Sequence, residues 1–224
     1  MTNRVRYALA LVCASAMASS ASAVTIFDLL TPGETITSGD KVFSNFTWTS
    51  GAVDPADVTV NPFSQVVSGG LEYGLEFVTP TLFTTGFGSS VEATMNYTVT
   101  PNVPGRLISD NTLTMDSTVG SSLGGNATIL ENATQTGTGL LLAAKANFDN
   151  GSSSPILFEH VEYPIAVVSA DVNTLITLNG GALGDPRIHK FAQTFSQIPE
   201  PATMGLALMG GLFGTAVFLR RRWG

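Results

Sequence analysis

Hydrophobic and polar positions alternate along much of the chain between residues 24 and 197. In 71–77 four apolar side chains are separated by Glu72, Gly74 and Glu76, and the run 91–99 has the same period. A period of two over such lengths is typical of strands with one buried face. Glu72 and Glu76 are therefore expected on the solvent side of their strand. Further strands are predicted at 42–48, 107–119, 127–131, 140–148, 155–163, 165–170, 175–179 and 188–196.

Short turn signals separate these predicted strands. Four residue pairs are of the kind found in hairpin turns: Pro104-Gly105, Gly124-Gly125, Asn150-Gly151 and Gly180-Gly181. Strands at short intervals with such breaks predict an all-β fold, an antiparallel β-sandwich of jelly-roll-like type. For residues 140–147 a short helical turn is an alternative, because leucine, alanine and lysine favour helix.

Both ends of the chain are apolar. At the N-terminus, two arginines precede an uncharged segment that ends in small residues, among them Ala21 and Ala23. This order predicts a signal peptide over residues 1–23, cleaved after Ala23 by signal peptidase. An uncleaved anchor is the alternative. The single cysteine, Cys13, lies in this segment, so the mature protein is expected to have no thiol.

The C-terminal apolar segment, 202–219, is uncharged and would form a helix of about 27 Å. That length is close to the bilayer core of about 30 Å, so a transmembrane helix is predicted. Arg220, Arg221 and Arg222 follow it and are expected to stay on the cytoplasmic side as a stop signal. The helix would then anchor the precursor in the inner membrane.

A proline pair precedes this segment in the sequence Pro199-Glu200-Pro201. Prolines donate no backbone hydrogen bond, so this stretch is expected to be extended. The motif, the apolar segment and the arginines together resemble the PEP-CTERM sorting signal, over residues 198–224, with Ile198 where that family usually has valine. The resemblance implies cleavage by an exosortase and delivery to the cell surface or extracellular matrix, in association with exopolysaccharide. A permanent single-pass anchor is the alternative.

Charge excludes one class of partner. Only 12% of the chain is charged, against roughly 25% in a typical soluble domain. The two apolar ends explain much of this deficit, because residues 24–198 carry five cations and sixteen carboxylates, a net charge of −11. Such acidity repels phosphate groups, so no nucleic-acid partner is expected.

Few residues of the body suggest chemistry. His160 and Glu162 would share one face of a strand and could begin a metal site, but a solvent-facing hairpin strand is the favoured interpretation. His189 is expected at an exposed edge near the end of the last strand. No Gly-x-Ser-x-Gly motif occurs. Calcium binding is an alternative at two Asx pairs, Asp110-Asn111 and Asp149-Asn150, although such residues also favour turns for local reasons.

The sequence therefore predicts no catalytic residue, cofactor or metal site. It predicts a non-enzymatic exported protein processed at both ends, with domains at 1–23, 24–197 and 198–224. Two alternatives come from other functional classes: an extracellular carbohydrate-binding module with an aromatic platform, and a hydrolase.

Overall fold

The computed structural model describes residues 23–67, 70–79, 88–119, 124–151, 155–181 and 186–199. Within them twelve strands form two antiparallel six-stranded sheets, which pack face to face. Sheet A contains, in spatial order, β1 (Val24–Thr25), β4 (Thr59–Val67), β5 (Gly70–Val78), β12 (Arg187–Pro199), β7 (Arg106–Thr118) and β10 (Phe158–Val167). Sheet B contains β2 (Thr35–Ser38), β3 (Lys41–Ser50), β6 (Ser90–Pro101), β11 (Ala170–Asn179), β8 (Asn126–Gln135) and β9 (Leu141–Asp149).

Two short helical segments interrupt the β structure. Helix α1 (Ile26–Leu29) begins after Thr25, whose hydroxyl accepts a hydrogen bond from the Asp28 amide. The Asp28 carboxylate accepts in return from the Thr25 hydroxyl and amide, and these bonds lower its pKa. A single 3-10 turn covers Pro55–Asp57. Burial of Ile26 and Leu29 attaches α1 to the sandwich.

The core lies between the two sheets, and the predicted alternation of apolar residues is confirmed. On β6 the apolar residues of the run 91–99 are buried, and their neighbours face away from sheet A. Aromatic rings join the layers: the centroid of the Phe43 ring lies 6.0 Å from that of Phe195, and the centroid of the Phe77 ring lies 6.5 Å from that of Tyr97. The β-sandwich prediction is therefore confirmed.

The predicted hairpins are wrong. Each of the four turn pairs lies between strands that belong to different sheets, so the chain crosses from one layer to the other there. Gly105, Gly124, Gly151 and Gly181 do have the positive φ that such turns require. The sequence pattern identified the local backbone bend but not the sheet that the next strand joins.

Several elements also differ from the prediction. Residues 140–147 form no helix: all but Leu140 belong to β9, where Lys145 and Asn147 point into the core. Strands β1, β2 and β4 were not predicted; β4 contains Pro62, which interrupts the β pattern, and its burial does not alternate clearly. No helix among the described residues is long and apolar enough to cross a membrane. The predicted transmembrane segment 202–219 lies outside them.

Candidate functional site

The last strand carries the start of the predicted sorting signal. Strand β12 lies inside sheet A between β5 and β7, and its pairing with β7 continues to the final pairs Ile198–Leu107 and Pro199–Arg106. Pro199 is therefore extended and belongs to the sheet. Glu200, Pro201 and the three C-terminal arginines lie outside the described residues, as does Ala21. Ala23 is exposed and directly precedes β1.

Side chains hold the strand just before this signal. The Asp110 carboxylate accepts hydrogen bonds from the Ser196 amide (3.1 Å), the Ser196 hydroxyl and the Ser109 hydroxyl (3.1 Å). The register between β12 and β7 shifts immediately afterwards, between Ser196 and Gln197. The Gln197 amide group donates to the Asp40 carbonyl of the other sheet (2.9 Å). The sandwich therefore fixes the chain up to the first residues of the signal.

A cleft of about 390 Å³ adjoins this end of β12. Its wall combines Ser109, Asp110 and Ser196 with Tyr163, Ile165 and Ile198. The Tyr163 hydroxyl is buried and has no hydrogen-bond partner among the described residues. Burial raises the pKa of this phenol, and the nearby carboxylates of Glu131 and Asp110 raise it further.

A second polar cluster covers the outer face of sheet A, the face turned away from sheet B. The Thr194 hydroxyl donates to Glu72 (2.6 Å) and accepts from the Gln65 amide group (2.7 Å). On the next strands Thr112 Oγ1 and His160 Nδ1 are 2.8 Å apart, and His160 Nδ1 lies 3.5 Å from Glu72 Oε1. The expectation that Glu72 is solvent-facing is wrong, since only 2% of it is exposed. Glu76 does face outward, paired with Lys190 at 2.9 Å.

This outer face brings together a group that sequence reasoning missed. One potential metal-ligating atom from each of Glu72, Asp110 and His160 lies within 4.8 Å of the others, although the residues come from three strands. Each side chain already has protein partners: Thr194 on Glu72, Thr112 on His160, and two serines on Asp110. Hydrogen bonds thus compensate these carboxylates for lost hydration. Glu162, the sequence-based partner of His160, is exposed and lies outside the group.

The structure separates the two residues of the first calcium alternative and gives Asp149 of the second a local turn role. Asp110 faces the outer side of sheet A, whereas Asn111 points into the core and donates to Glu131. The Asp149 carboxylate accepts from the Gly151 amide (2.9 Å) and the Ser117 hydroxyl (2.8 Å), which is the local turn role of such residues.

The expected edge position of His189 is wrong. It lies near the start of β12, a strand with neighbours on both sides, and not near its end. The residue is exposed, and its Nε2 lies 2.8 Å from Thr118 Oγ1. Both histidines of the chain are thus paired with threonine hydroxyls.

The core contains a buried ion pair that was not predicted. Lys145 Nζ lies 2.7 Å from Glu131 Oε1, and both side chains are fully buried. Glu131 also accepts from the amide groups of Asn111 and Gln193, and Gln193 accepts from the Tyr97 hydroxyl (2.7 Å). Burial lowers the pKa of Lys145, while the attraction of the Glu131 carboxylate opposes that shift.

A signal for this pair was present in the sequence. Glu131 is in phase with Ile129 and Ala133, and Lys145 is in phase with Ala143, so each stands on the buried face of its strand. The two strands are neighbours, and the register places Glu131 opposite Lys145. Opposite charges directly across a ladder form the cross-strand pair that β-sheets favour.

Comparison with known proteins identifies the C-terminal segment. A family model described as the PEP-CTERM protein-sorting motif matches residues 197–222. No curated protein matches the sequence.

Among solved structures, the chain is similar to a carbohydrate-binding module in complex with β-1,4-galactotriose (13% identity, 68% of this chain and 90% of that chain, TM-score 0.27). It is also similar to a xylan-binding module (11% identity, 70% and 98%, TM-score 0.28). A third similar structure is the enzymatically active domain of tailspike protein 4 from bacteriophage CBA120 (16% identity, 68% and 20%, TM-score 0.28). Similarity at this level says nothing about a ligand of this chain.

The matched segment includes the Pro-Glu-Pro sequence, the apolar run and the arginines, and it begins with the last three residues of β12. Residues 197–222 of this chain are a PEP-CTERM protein-sorting motif, which indicates an exported protein sorted to the cell surface.

Proposed function

We propose that the chain is a non-enzymatic surface protein, exported with a cleaved signal peptide and then released from its C-terminal tail by an exosortase. The tail would hold the precursor in the inner membrane, and the processed body would reach the cell surface or the extracellular matrix. Association with exopolysaccharide there is the role that the family resemblance suggests. The observation that carries the proposal is the sorting-motif match over residues 197–222.

The position of the motif supports this function. The twelve strands of the sandwich end at Pro199, and Gln197 to Pro199 are still paired with β7. Removal of the chain beyond the Pro-Glu-Pro sequence would therefore leave both sheets complete.

The hydrogen bonds of the body favour a non-enzymatic role. The two histidines, His160 and His189, face threonine hydroxyls. The buried carboxylates Glu72 and Glu131 have hydroxyl or amide donors and, for Glu131, a lysine partner. These side chains are thus engaged in the hydrogen-bond network of the sheets, as buried structural polar groups are.

Alanine substitution of Pro199, Glu200 and Pro201 together tests the sorting proposal. In a host that has an exosortase, we expect the variant to accumulate at full length in the inner membrane, while the parent chain is shortened and leaves it. A matched control replaces exposed residues of the same types, Glu162 and Pro164, and should be processed normally. Normal processing of the Pro-Glu-Pro variant would refute the proposal.

A second candidate function is glycan binding on the outer face of sheet A. One row across this face runs from Phe63 through Gly74, Thr194 and Thr112 to His160. Gly74, Thr194 and Thr112 are buried, so the row presents the half-buried Phe63 ring at one end and the half-buried His160 imidazole at the other. Apolar rings combined with a few directed polar groups are typical of sites for small ligands.

A glycan array tests this second function. Binding should be lost in the Phe63→Ala and Phe158→Ala variants, whose rings lie on the outer face. It should persist in Phe27→Ala, whose exposed ring lies on α1. Equal binding by all three variants, or no binding by the parent chain, would remove the candidate.

A further inference from the structure

The strand ends and connections near Pro199 lie at one end of the sandwich, which we call the exit end. The antiparallel pairings place the connections that follow β2, β6, β8 and β10 at this end, together with the end of β4 and the start of β5. The exit end comprises these connections and the three strand residues nearest to each. The sorting motif leaves the domain from the same place.

Exposed apolar side chains are concentrated at the exit end. Twelve large hydrophobic residues of the described chain are exposed. Eight of them belong to the exit end: Val66, Leu71, Val103, Leu140, Leu141, Ile165, Val168 and Ile198. Single exposed apolar residues are ordinary on protein surfaces, but a concentration around one end marks a contact surface.

Charge is sparse at the same end. Its charged residues are two cations, Lys41 and Arg106, and three carboxylates, Asp40, Glu72 and Asp171, a net charge of −1. Lys41 and Glu72 are buried. Because residues 24–198 carry a net charge of −11, nearly all of the excess acidity lies elsewhere on the body. The exit end is thus the part that an anionic bilayer surface repels least.

The short connection between the last strand and the apolar segment indicates that the exit end faces the membrane. Three residue steps separate Pro199, the last strand residue, from Ala202, the first residue of the uncharged segment. Three extended steps reach about 11 Å. The headgroup layer on one side of a bilayer is roughly 5–8 Å thick, half the difference between total and hydrocarbon thickness. A body connected this closely to a spanning segment must lie against the membrane.

We infer that the exit end sits in the periplasmic headgroup layer of the inner membrane while the tail is attached. This inference rests on the proposed function, because it requires 202–219 to cross the bilayer. The apolar side chains of the exit end enter the boundary between headgroups and acyl chains, and the acidic remainder of the sandwich points away from the lipid. The Pro-Glu-Pro sequence is then held at the depth of the bilayer surface, where a membrane-embedded protease meets it.

Environment-sensitive labels on the full chain test this orientation. In a Cys13→Ser background, single cysteines replace Leu141 or Val168 at the exit end. The controls are Ile156→Cys and Phe27→Cys, at the opposite end. Native exposures match, at 53% for Leu141 and Ile156 and 61% for Val168 and Phe27. The labelled chains are reconstituted singly in nanodiscs of phosphatidylethanolamine and phosphatidylglycerol.

We expect a blue-shifted emission and quenching by nitroxide lipids for the two exit-end labels only. A triple variant, with the label at position 141, carries Val103→Asp, Leu140→Asp and Val168→Asp. It should lose both the blue shift and the quenching, while its circular dichroism spectrum is unchanged. The inference would be overturned if all four labels of the parent chain emitted as in water. It would also be overturned if the blue shift appeared only with two copies of the chain in one disc. Failure of exosortase processing leaves these readouts unchanged, so the two proposals fail separately.

Discussion

The buried pair of Glu131 and Lys145 gives the sharpest prediction about stability. Substitution of Lys145 by methionine keeps most of the side-chain volume but leaves the Glu131 carboxylate in the core without its cation. Removal of one partner of a buried pair costs about 3–5 kcal/mol. A domain of this size unfolds with about 5–15 kcal/mol, so the variant should lose a large share of its stability.

The double variant separates the pair from the packing around it. With Glu131→Gln added to Lys145→Met neither member of the pair is charged. Asn111 Nδ2 donates to Glu131 in the parent chain, and rotation of the Asn111 amide would let its Oδ1, which has no partner among the described residues, accept from the new amide group. We expect the double variant to be more stable than either single variant, and within about 2 kcal/mol of the parent chain, since loss of a complete buried pair is often nearly neutral. Urea unfolding followed by fluorescence and circular dichroism measures all four corners of this cycle.

An exposed pair provides the control. Lys190 lies 2.9 Å from Glu76, but 47% of its side chain is exposed. Lys190→Met should therefore cost at most about 1 kcal/mol. If Lys145→Met costs no more than Lys190→Met, the assignment of a dry, charged core pair is wrong.

The pH dependence of the same variants has a definite sign. Because burial lowers the folded-state pKa of Lys145 below 10.5, the unfolded chain binds more protons in the window just below that value. Stability should therefore rise with pH across this window, and this gain should be absent in Lys145→Met. A Lys145→Met variant with the same slope as the parent chain would contradict the cause given for the shift.

Two further predictions concern matched pairs of substitutions. Tyr97 donates to Gln193, whereas no described residue is a hydrogen-bond partner of the Tyr163 hydroxyl. Tyr97→Phe should therefore cost about 1–3 kcal/mol and Tyr163→Phe close to nothing in urea unfolding at neutral pH. Burial raises the pKa of both phenols well above 10, so the unfolded chain ionises first and stability should fall above pH 10. The fall should be less steep in either variant. Equal slopes of stability against pH in the parent chain and the variants would contradict this cause. A Cβ on Gly74 would lie 1.8 Å from the Gln193 carbonyl oxygen, so Gly74→Ala should cost at least about 1–3 kcal/mol. A Cβ on Gly51 would have no atom within 4 Å, so Gly51→Ala should stay within about 1 kcal/mol of the parent chain. Similar thermal midpoints for the two glycine variants would show that β5 and β12 can separate at no cost.

The sandwich could be predicted because its signal is local. In the run 91–99 each apolar residue is two positions from the next, and the pleat of a strand alone places them on one face. The same local pattern contains no information on strand order. His189 was therefore assigned to an edge, although β12 has neighbours on both sides, and the glycine turns were assigned to hairpins.

The polar clusters could not be predicted for a related reason. Glu72, Asp110 and His160 come from three strands, and only the register of sheet A brings their side chains within reach of one another. Lys145 belongs to the core because Glu131 stands opposite it on β8. Burial of a charge is tolerable only with such a partner, and the partner is fixed by the fold as a whole. The sorting motif, in contrast, is read from contiguous residues and was found from sequence.

Exosortase processing is best tested by the intact mass of the protein at the cell surface, compared between a host with an exosortase and a host without one. With the enzyme, we predict a chain that begins at Val24 and lacks the apolar segment and arginines that follow Pro201. Without it, a chain that begins at Val24 and keeps its tail should remain in the inner membrane. A surface form that extends to Gly224 in the presence of the enzyme would contradict the proposed processing.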